Sequence, residues 1–222
     1  RDCLLSRGLG DVYKRQESKD AKLNAFLKEQ VRTNLLNIGR KLVIEKGADY
    51  LTARKLSQAS NVSVGTIYNQ FSTMENFVAA ENMQTFDELY QLLSIIIPDQ
   101  NPYINIIRYV DAFSGYVVNN PNLWTLVFRE QLQGGERRRP FVYLRKARRI
   151  EKLLEIQLRA MFGYLGYAER RLAAEVLETT LFALSGFLAM PGWDKKQPLN
   201  KHNICQLLLN TYLAGLASLR KE

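Results

Sequence analysis

From about residue 20 onward, apolar side chains recur at steps of three and four residues, and no segment alternates apolar and polar positions. This period is typical of α-helices that bury one face, so the chain is predicted to be all-α. Gly47 ends the first apolar stripe and suits a left-handed helix cap. The stripe consists of Val31, Leu35, Ile38 and Leu42.

Two short helices are predicted next. Thr52 is a natural N-cap for the second helix, and Ser63 is one for the third. Between them, Asn61 tolerates a positive φ better than most residues other than glycine, so a tight reversal is favourable there. Ile67 and Phe71 stand four residues apart and supply the inward face of the third helix.

Capping residues and prolines divide the remainder of the chain. Residues 72–75, Ser-Thr-Met-Glu, have the pattern of a capping box, which predicts that Ser72 caps the fourth helix. Further prolines, asparagines and glycines predict that the fifth to ninth helices begin near residues 102, 121, 140, 168 and 200. About nine helices and no strand are expected.

The 222 residues carry a net charge of +9, which favours an anionic partner without requiring one. Two cysteines are too few for a disulfide framework and fit a reducing, cytoplasmic location. No apolar run approaches the roughly 18 residues of a membrane span, so no membrane partner is expected. Residues 1–16 lack sustained periodicity, and we expect them to be a non-native extension.

The residue inventory argues against an enzyme. The single histidine, His202, excludes a multi-histidine metal site. The sequence contains no nucleophile elbow, phosphate-binding loop, dinucleotide fingerprint or Cys–His metal spacing. We therefore expect no catalytic residues, no cofactor and no metal.

The third helix is short and uncharged, which raises the question of what it binds. A helix of eight residues is about 12 Å long and fits the major groove of DNA. Small or hydrogen-bonding outer residues permit close approach to a phosphate chain, and capped amino-terminal amides favour anions. These outer residues are Val64, Gly65, Thr66, Tyr68, Asn69 and Gln70. Nearby cationic charge is available from Arg40, Lys41, Lys46, Arg54 and Lys55.

Residues 47–77 resemble the DNA-binding domain of the TetR (AcrR-like) family of bacterial transcriptional repressors. The family pattern has a threonine at the start of helix two and a G-T-[IL]-Y-x-x-F recognition helix. This chain has Thr52 and then Gly-Thr-Ile-Tyr-Asn-Gln-Phe over residues 65–71. Three positions depart from the pattern: Asn61 replaces a turn glycine, Met74 a phosphate-binding lysine, and Ser57 an alanine, adding a hydroxyl that needs a partner.

The resemblance implies a homodimer that binds a palindromic, double-stranded DNA operator through paired third helices. It implies that base edges are contacted by Arg54, Val64, Gly65 and Thr66, and phosphates by Thr52, Tyr68, Asn69 and Gln70. Lys55 and Ser63 complete the expected DNA-binding set. Arg54 is the side chain suited to a bidentate contact with guanine, which is worth about 1 to 3 kcal/mol of discrimination.

The resemblance also divides the chain into a three-helix helix-turn-helix domain over residues 20–80 and a larger helical effector-binding and dimerisation domain over residues 81–222. In the family, helices four to eight enclose an effector pocket. We hypothesise that an unidentified small molecule contacts Tyr109, Phe113, Tyr116, Trp124, Phe128, Tyr143 and Phe182, with Asp111, Arg129 and Glu130 as polar anchors. Without the resemblance, such aromatic residues are more often core.

Helices eight and nine are expected to form the homodimer interface, as a four-helix bundle across a two-fold axis. Packing within the chain is the alternative for the same residues. The expected interface residues are Ala183, Ser185, Gly186 and Ala189 in helix eight and Leu208, Tyr212, Gly215 and Leu216 in helix nine.

The function expected is that of a transcriptional regulator, most simply a repressor, which an effector releases from its operator. The alternative is a basic, all-helical small-molecule-binding protein without sequence-specific DNA binding, and a nonspecific DNA-binding protein is a second. The densest basic run, residues 137–152, lies outside the motif, where a solvated amphipathic helix is favoured over contact with DNA or anionic lipid.

Overall fold

The computed structural model describes residues 5–133, 139–190 and 201–219, and the side chains of residues 22–132, 139–190 and 203–219. Within these ranges the chain forms nine α-helices, one short 3-10 helix and no strand, as the apolar period predicts. The helices are α1 (Leu5–Lys46), α2 (Ala53–Ser60), α3 (Val64–Phe71), α4 (Met74–Ser94), α5 (Pro102–Asn119), α6 (Pro121–Gln133), α7 (Phe141–Met161), α8 (Tyr167–Leu188) and α9 (Lys201–Ser218), with the 3-10 helix at Ala48–Tyr50 between α1 and α2.

Local capping sets most of the amino-terminal boundaries. Gly47 has a φ of 88°, which favours glycine and ends α1 where the sequence predicts. The expected capping box at Ser72 is wrong by one residue. Thr73 caps α4, its side chain accepting a bond from the Asn76 amide at 3.2 Å, whereas Ser72 has a φ of 64° at the end of α3.

The backbone of residues 5–16 is the amino-terminal part of α1. The expectation that these residues are a non-native extension stays a prediction.

The first core lies where α1, α2, α3 and the start of α4 meet. Leu56 and Ile67 are fully buried, and Phe71 meets Phe77 edge to face at a centroid distance of 4.8 Å. Gly39 lets α4 cross close to α1, because a Cβ there would lie 2.5 Å from the Phe77 ring. Three helices, α1, α2 and α4, thereby hold the buried side of α3.

A larger second core is formed by the six helices from α4 to α9. Trp124 on α6 is buried and donates its indole N–H to the Ser185 hydroxyl on α8 at 2.7 Å. Phe128 occupies the space that a Cβ of Gly186 would need, so α6 and α8 pack closely. Within the described part of the chain, no helix is both long enough and apolar enough to cross a membrane.

The two cores are connected in two ways. The helix α4 starts in the first core with Phe77 and continues into the second with Leu89. A small third cluster packs α6 against the end of α1 through Val43, Leu123 and Leu126. The expected domain boundary at residue 80 therefore falls inside α4, and the division into domains stays a prediction.

Candidate nucleic-acid interface and effector cavity

The turn between α2 and α3 is defined by short-range hydrogen bonds. The Thr52 hydroxyl accepts from the Lys55 amide at 3.2 Å and the Ser63 hydroxyl accepts from the Thr66 amide at 3.0 Å, so both predicted N-caps are confirmed. Asn61 is left-handed, with φ 56° and ψ 27°. The additional hydroxyl of Ser57 donates to the Val62 carbonyl at 2.6 Å and so helps to hold this turn closed.

The helix α3 has one buried and one open face. Ile67 and Phe71 point into the first core, with exposed fractions of 0% and 3%. Tyr68 on the other side is 43% exposed. The open face consists of Val64, Gly65, Tyr68 and Asn69, with Thr66 and Gln70 half-buried at its edges.

Gly65 has no internal structural reason to be glycine. It is helical without a positive φ, and a Cβ there would meet only the Ser63 hydroxyl, at an ordinary 3.6 Å. Glycine in a helix costs about 0.5 to 1 kcal/mol relative to alanine. Its presence in the first turn of an exposed helix fits close approach by an external backbone.

The amino terminus of α3 has free anion-binding capacity. Ser63 already satisfies the Thr66 amide, whereas helix geometry gives the Val64 and Gly65 amides no intrahelical acceptor. These N–H groups carry the partial positive charge of the helix end. A phosphate or a base edge is a suitable acceptor for them.

Two cations of the motif flank this face differently. Arg54 is exposed on α2, while Lys55 is half-buried with its ammonium 5.0 Å from the Tyr50 ring.

A third cation was missed by sequence reasoning. Arg32 of α1 donates to the Gln70 carbonyl at 2.8 Å and stacks on Phe71 at 4.2 Å, bracing the carboxyl end of α3. Arg32 lies on α1, far from the motif in the sequence, so the motif gives no signal for this contact.

Arg40 does not belong to the DNA-facing charge, contrary to the sequence-based expectation. Its side chain is 12% exposed and turns inward from α1 to α4. It bonds Thr85 at 3.1 Å, forms an ion pair with Glu88 and lies 3.8 Å from Glu81. Tyr116 of α5 also donates to Glu88, at 2.9 Å, so this network joins three helices.

Glu81 is the buried member of this network, with an exposed fraction of 1%. Burial raises the pKa of its carboxyl to about 8, the Glu88 charge adds to the rise, and Arg40 opposes it. The raised pKa favours the protonated form of Glu81 at neutral pH.

A cavity of about 650 Å³ lies between α4, α5, α6, α7 and α8. This volume is in the range of small-molecule sites. Four of the seven expected effector residues line it: Tyr109, Phe113, Trp124 and Phe182. Effector binding by these four residues stays a prediction.

Tyr116, Phe128 and Tyr143 do not line the cavity, and the expectation for them is corrected. Tyr116 turns its hydroxyl to Glu88, and Phe128 stacks behind Phe182 at a centroid distance of 5.0 Å. Tyr143 is 1% exposed and packs edge to face on the Phe86 ring. All three aromatic residues have the helical spacing that the sequence analysis used, but their side chains pack away from the cavity.

The expected polar anchors Asp111, Arg129 and Glu130 also lie outside the cavity lining. Arg129 instead forms a two-pronged ion pair with Asp49, which lowers the pKa of that carboxyl. The polar lining comes from α6, α7 and α8, and sequence reasoning missed it. It consists of Gln131, Arg148, Glu151, Glu155, Arg171, Glu175, Glu178 and Thr179.

The described part of the basic run is largely paired within the chain. Lys146 and Arg149 both bind Asp87 of α4, and Arg149 also stacks on Tyr90 at 4.2 Å. Arg145 is exposed on the outer face. This favours the amphipathic-helix interpretation over a second nucleic-acid surface, while residues 134–138 lie outside the described residues.

The expected contact residues of α8 and α9 are mostly internal, which corrects that assignment. Ser185, Gly186, Ala189 and Leu216 are buried in the single chain, and Tyr212 donates its hydroxyl to the Ala173 carbonyl at 2.5 Å. Each helix also has open apolar positions. They are Leu172, Val176 and Phe187 on α8, together with the expected Ala183, and Leu207 and Ala214 on α9.

Within the described residues, no group of histidine, cysteine and carboxylate side chains is arranged to hold a metal ion. The side chain of His202 lies outside the described side chains. Cys205 is buried, and burial raises the pKa of its thiol.

Residues 35–80 match the family model of bacterial regulatory proteins, tetR family. A comparison with curated proteins found no match. Solved structures are similar over most of the chain. A possible TetR family transcriptional regulator from Streptomyces coelicolor A3(2) has a TM-score of 0.65 at 16% identity, over 85% of this chain and 100% of that chain.

Two further structures contain bound molecules. FadR of Thermus thermophilus, a TetR family transcriptional repressor in complex with lauroyl-CoA, has a TM-score of 0.63 at 16% identity, over 86% of this chain and 96% of that chain. BioQ with its double-stranded DNA operator has a TM-score of 0.62 at 16% identity, over 84% and 97%. Residues 35–80 therefore match the tetR family of bacterial regulatory proteins, and the chain shares its helical fold with these solved regulators.

Proposed function

We propose that the protein is a DNA-binding transcriptional regulator that binds a palindromic operator as a homodimer and is released by a small-molecule effector. The observation that carries this proposal is the open face of α3. Tyr68, Asn69 and the Gly65 backbone face outward from a helix whose other side is fixed by a buried core. BioQ, a relative with the same fold, was solved with its operator.

The recognition residues divide by chemistry. Arg54 is exposed and has the planar donor fork that matches guanine, so it is assigned to a base edge. The first turn of α3, residues 64–66, approaches the bases closely because its side chains are small. Phosphates are assigned to hydrogen-bonding groups around this turn. They are Thr52, Lys55, Ser63, Tyr68, Asn69 and Gln70.

A dimer is part of the proposal because a single short helix reads too few bases for specificity, and a two-fold pair doubles the contacts. The open apolar face of α8 and α9 supports it. Phe187 of α8 is 47% exposed and Leu207 of α9 is 65% exposed in the single chain. Burial of that face against a second copy removes apolar surface from water.

The release step is assigned to α4 and α6, which each contact the cavity and the DNA-binding side. On α6, Trp124 lines the cavity, while Asn122 donates to the Ile44 carbonyl at 2.9 Å and Arg129 pairs with Asp49. An effector that prefers one position of α6 thereby biases the position of the helix-turn-helix.

The proposal is tested by selecting bound sequences from a random DNA pool with the full chain. Enrichment of a palindrome is expected, with random-sequence DNA competing at least a hundredfold more weakly than the enriched site. Absence of enrichment favours the small-molecule-binding alternative. Equal competition by random DNA indicates a nonspecific binder, and either result rejects the regulator.

A further inference from the structure

The interior of the cavity is aromatic and apolar. Phe113 of α5, Trp124 of α6 and Phe182 of α8 form one continuous wall. The Phe113 and Trp124 rings meet at 81° with centroids 5.2 Å apart, and Trp124 lies 6.3 Å from Phe182. Such a wall accepts an apolar body, and aromatic ring faces also attract cations.

The charged part of the lining is built by α7 and α8 alone. It has four carboxylates against two guanidinium groups, a net excess of two negative charges when all four carboxylates are ionised. The α7 groups are Arg148, Glu151 and Glu155, and the α8 groups are Arg171, Glu175 and Glu178.

Arg148 binds two carboxylates other than Glu178. Its two terminal nitrogens bind Glu151 at 3.1 Å and Glu155 at 2.9 Å, so its hydrogen-bonding fork is fully engaged on α7. Its side chain is 55% exposed, and solvent screens what remains of its charge.

Glu178 lines the cavity and forms no ion pair with another described residue. Its Oε1 atom is shielded from solvent and has no hydrogen-bond partner among the described residues. Burial raises the pKa of this carboxyl to about 7, with Glu151, Glu155 and Glu175 adding to the rise and Arg148 opposing it. A buried acceptor of this kind is stabilised by a ligand that donates a hydrogen bond or brings a positive charge.

We propose that the effector is an amphipathic organic cation, with its apolar or aromatic body against Phe113, Trp124 and Phe182 and its positively charged group beside Glu178. This inference rests on the proposed function only in assigning the cavity to the effector. The carboxylate excess disfavours anionic ligands, including thioesters of coenzyme A such as the one bound to FadR.

The test uses two ions of nearly equal shape and opposite charge, tetraphenylphosphonium and tetraphenylborate, titrated calorimetrically into the full chain. We expect the phosphonium to bind at least tenfold more tightly. The protein's net charge of +9 attracts the borate to the surface in general, so a preference for the cation reports on the cavity.

Glu178→Gln keeps the shape of the side chain and removes its charge. It is expected to lower the affinity for tetraphenylphosphonium about tenfold and to leave tetraphenylborate unchanged or tighter. Glu45→Gln, an exposed carboxylate on α1, is the matched control and is expected to change neither.

The pH dependence gives a second readout. The wild-type affinity for tetraphenylphosphonium is expected to rise several-fold between pH 6 and pH 8 as Glu178 ionises among Arg148, Glu151, Glu155, Arg171 and Glu175, and this rise is expected to be absent in Glu178→Gln. Equal affinity for the two ions, no binding of either, or an unaltered Glu178→Gln variant overturns the proposal. Operator binding by the same samples is measured separately, so loss of DNA binding with intact ion discrimination contradicts the regulator and not the cation site.

Discussion

Gly65 lies in the first turn of α3, where no described residue requires a glycine, because a Cβ would meet only an ordinary contact. Gly65→Ala is therefore expected to raise the free energy of unfolding by about 0.5 to 1 kcal/mol. On a helix that approaches DNA closely, the added methyl is expected to weaken operator affinity. Urea denaturation and fluorescence anisotropy measure the two effects.

Gly39→Ala is the matched control for this prediction. Its Cβ would lie 2.5 Å from the Phe77 ring, so it is expected to lower the free energy of unfolding by about 1 to 3 kcal/mol. If Gly65→Ala instead left operator affinity at the wild-type value, close approach at α3 would be wrong.

Single residues were predictable from sequence where their role is local. Thr52, Asn61 and Ser63 act on atoms within three residues of themselves, so their type and spacing were sufficient. Ser72 was assigned wrongly because Thr73, its neighbour, is an equally good cap. The expectation for Arg40 was wrong because its partners Thr85 and Glu88 are distant in sequence. The periodicity of the sequence does not encode such contacts.

At the scale of elements, α4 belongs to both cores and contains the buried Glu81. Its pKa of about 8, against an ordinary value of 4.5, means that the folded protein retains a proton that the unfolded chain releases. The Glu81 contribution to stability is therefore fully present below pH 4.5 and is lost as the pH rises to about 8.

Glu81→Gln removes this titration. Its free energy of unfolding relative to wild type is expected to increase by about 1 kcal/mol or more between pH 5 and pH 8. Denaturation at a series of pH values measures it, with the exposed Glu45→Gln as control. Parallel pH profiles for wild type and Glu81→Gln would show that this carboxyl is charged in the folded state.

The helix α6 is the element that joins the cavity to the end of α1. Arg129→Ala breaks the pair with Asp49 without touching the cavity lining. We expect effector affinity for the free protein to be unchanged, while the factor by which effector weakens operator binding falls several-fold. Effector titrations with and without operator measure this factor, and an unchanged factor would remove Arg129 from the release step.

Element boundaries were largely predictable, whereas the faces of the helices in the second core were not. The aromatic spacing of α5 and α6 placed Phe113 and Trp124 correctly on the cavity but also selected Phe128 and Tyr116, which pack behind it. Helices buried on more than one side have two apolar faces, and a single sequence does not distinguish them. The carboxylates of α7 and α8 were missed because they meet only after the two helices pack together.

At the scale of the whole molecule, the open faces of α8 and α9 are expected to pair two chains. Phe187→Glu places a charge in that face and is expected to give a monomer that has lost most operator affinity. Leu144→Glu, at an equally exposed apolar position on α7, is expected to remain dimeric. Sedimentation velocity distinguishes the states, and a dimeric Phe187→Glu would relocate the interface.

Operator binding by variants of two exposed arginines tests the central claim, that the open side of α3 and the adjoining α2 reads DNA. Arg54 lies on α2 beside that face, and Arg145 lies on the outer face of α7. Binding to the selected operator is measured by anisotropy. Arg54→Ala is expected to weaken it by about fivefold or more, because a guanine contact is worth about 1 to 3 kcal/mol, and Arg145→Ala is expected to stay near wild type. Equal effects of the two substitutions, or no effect of Arg54→Ala, would contradict the account.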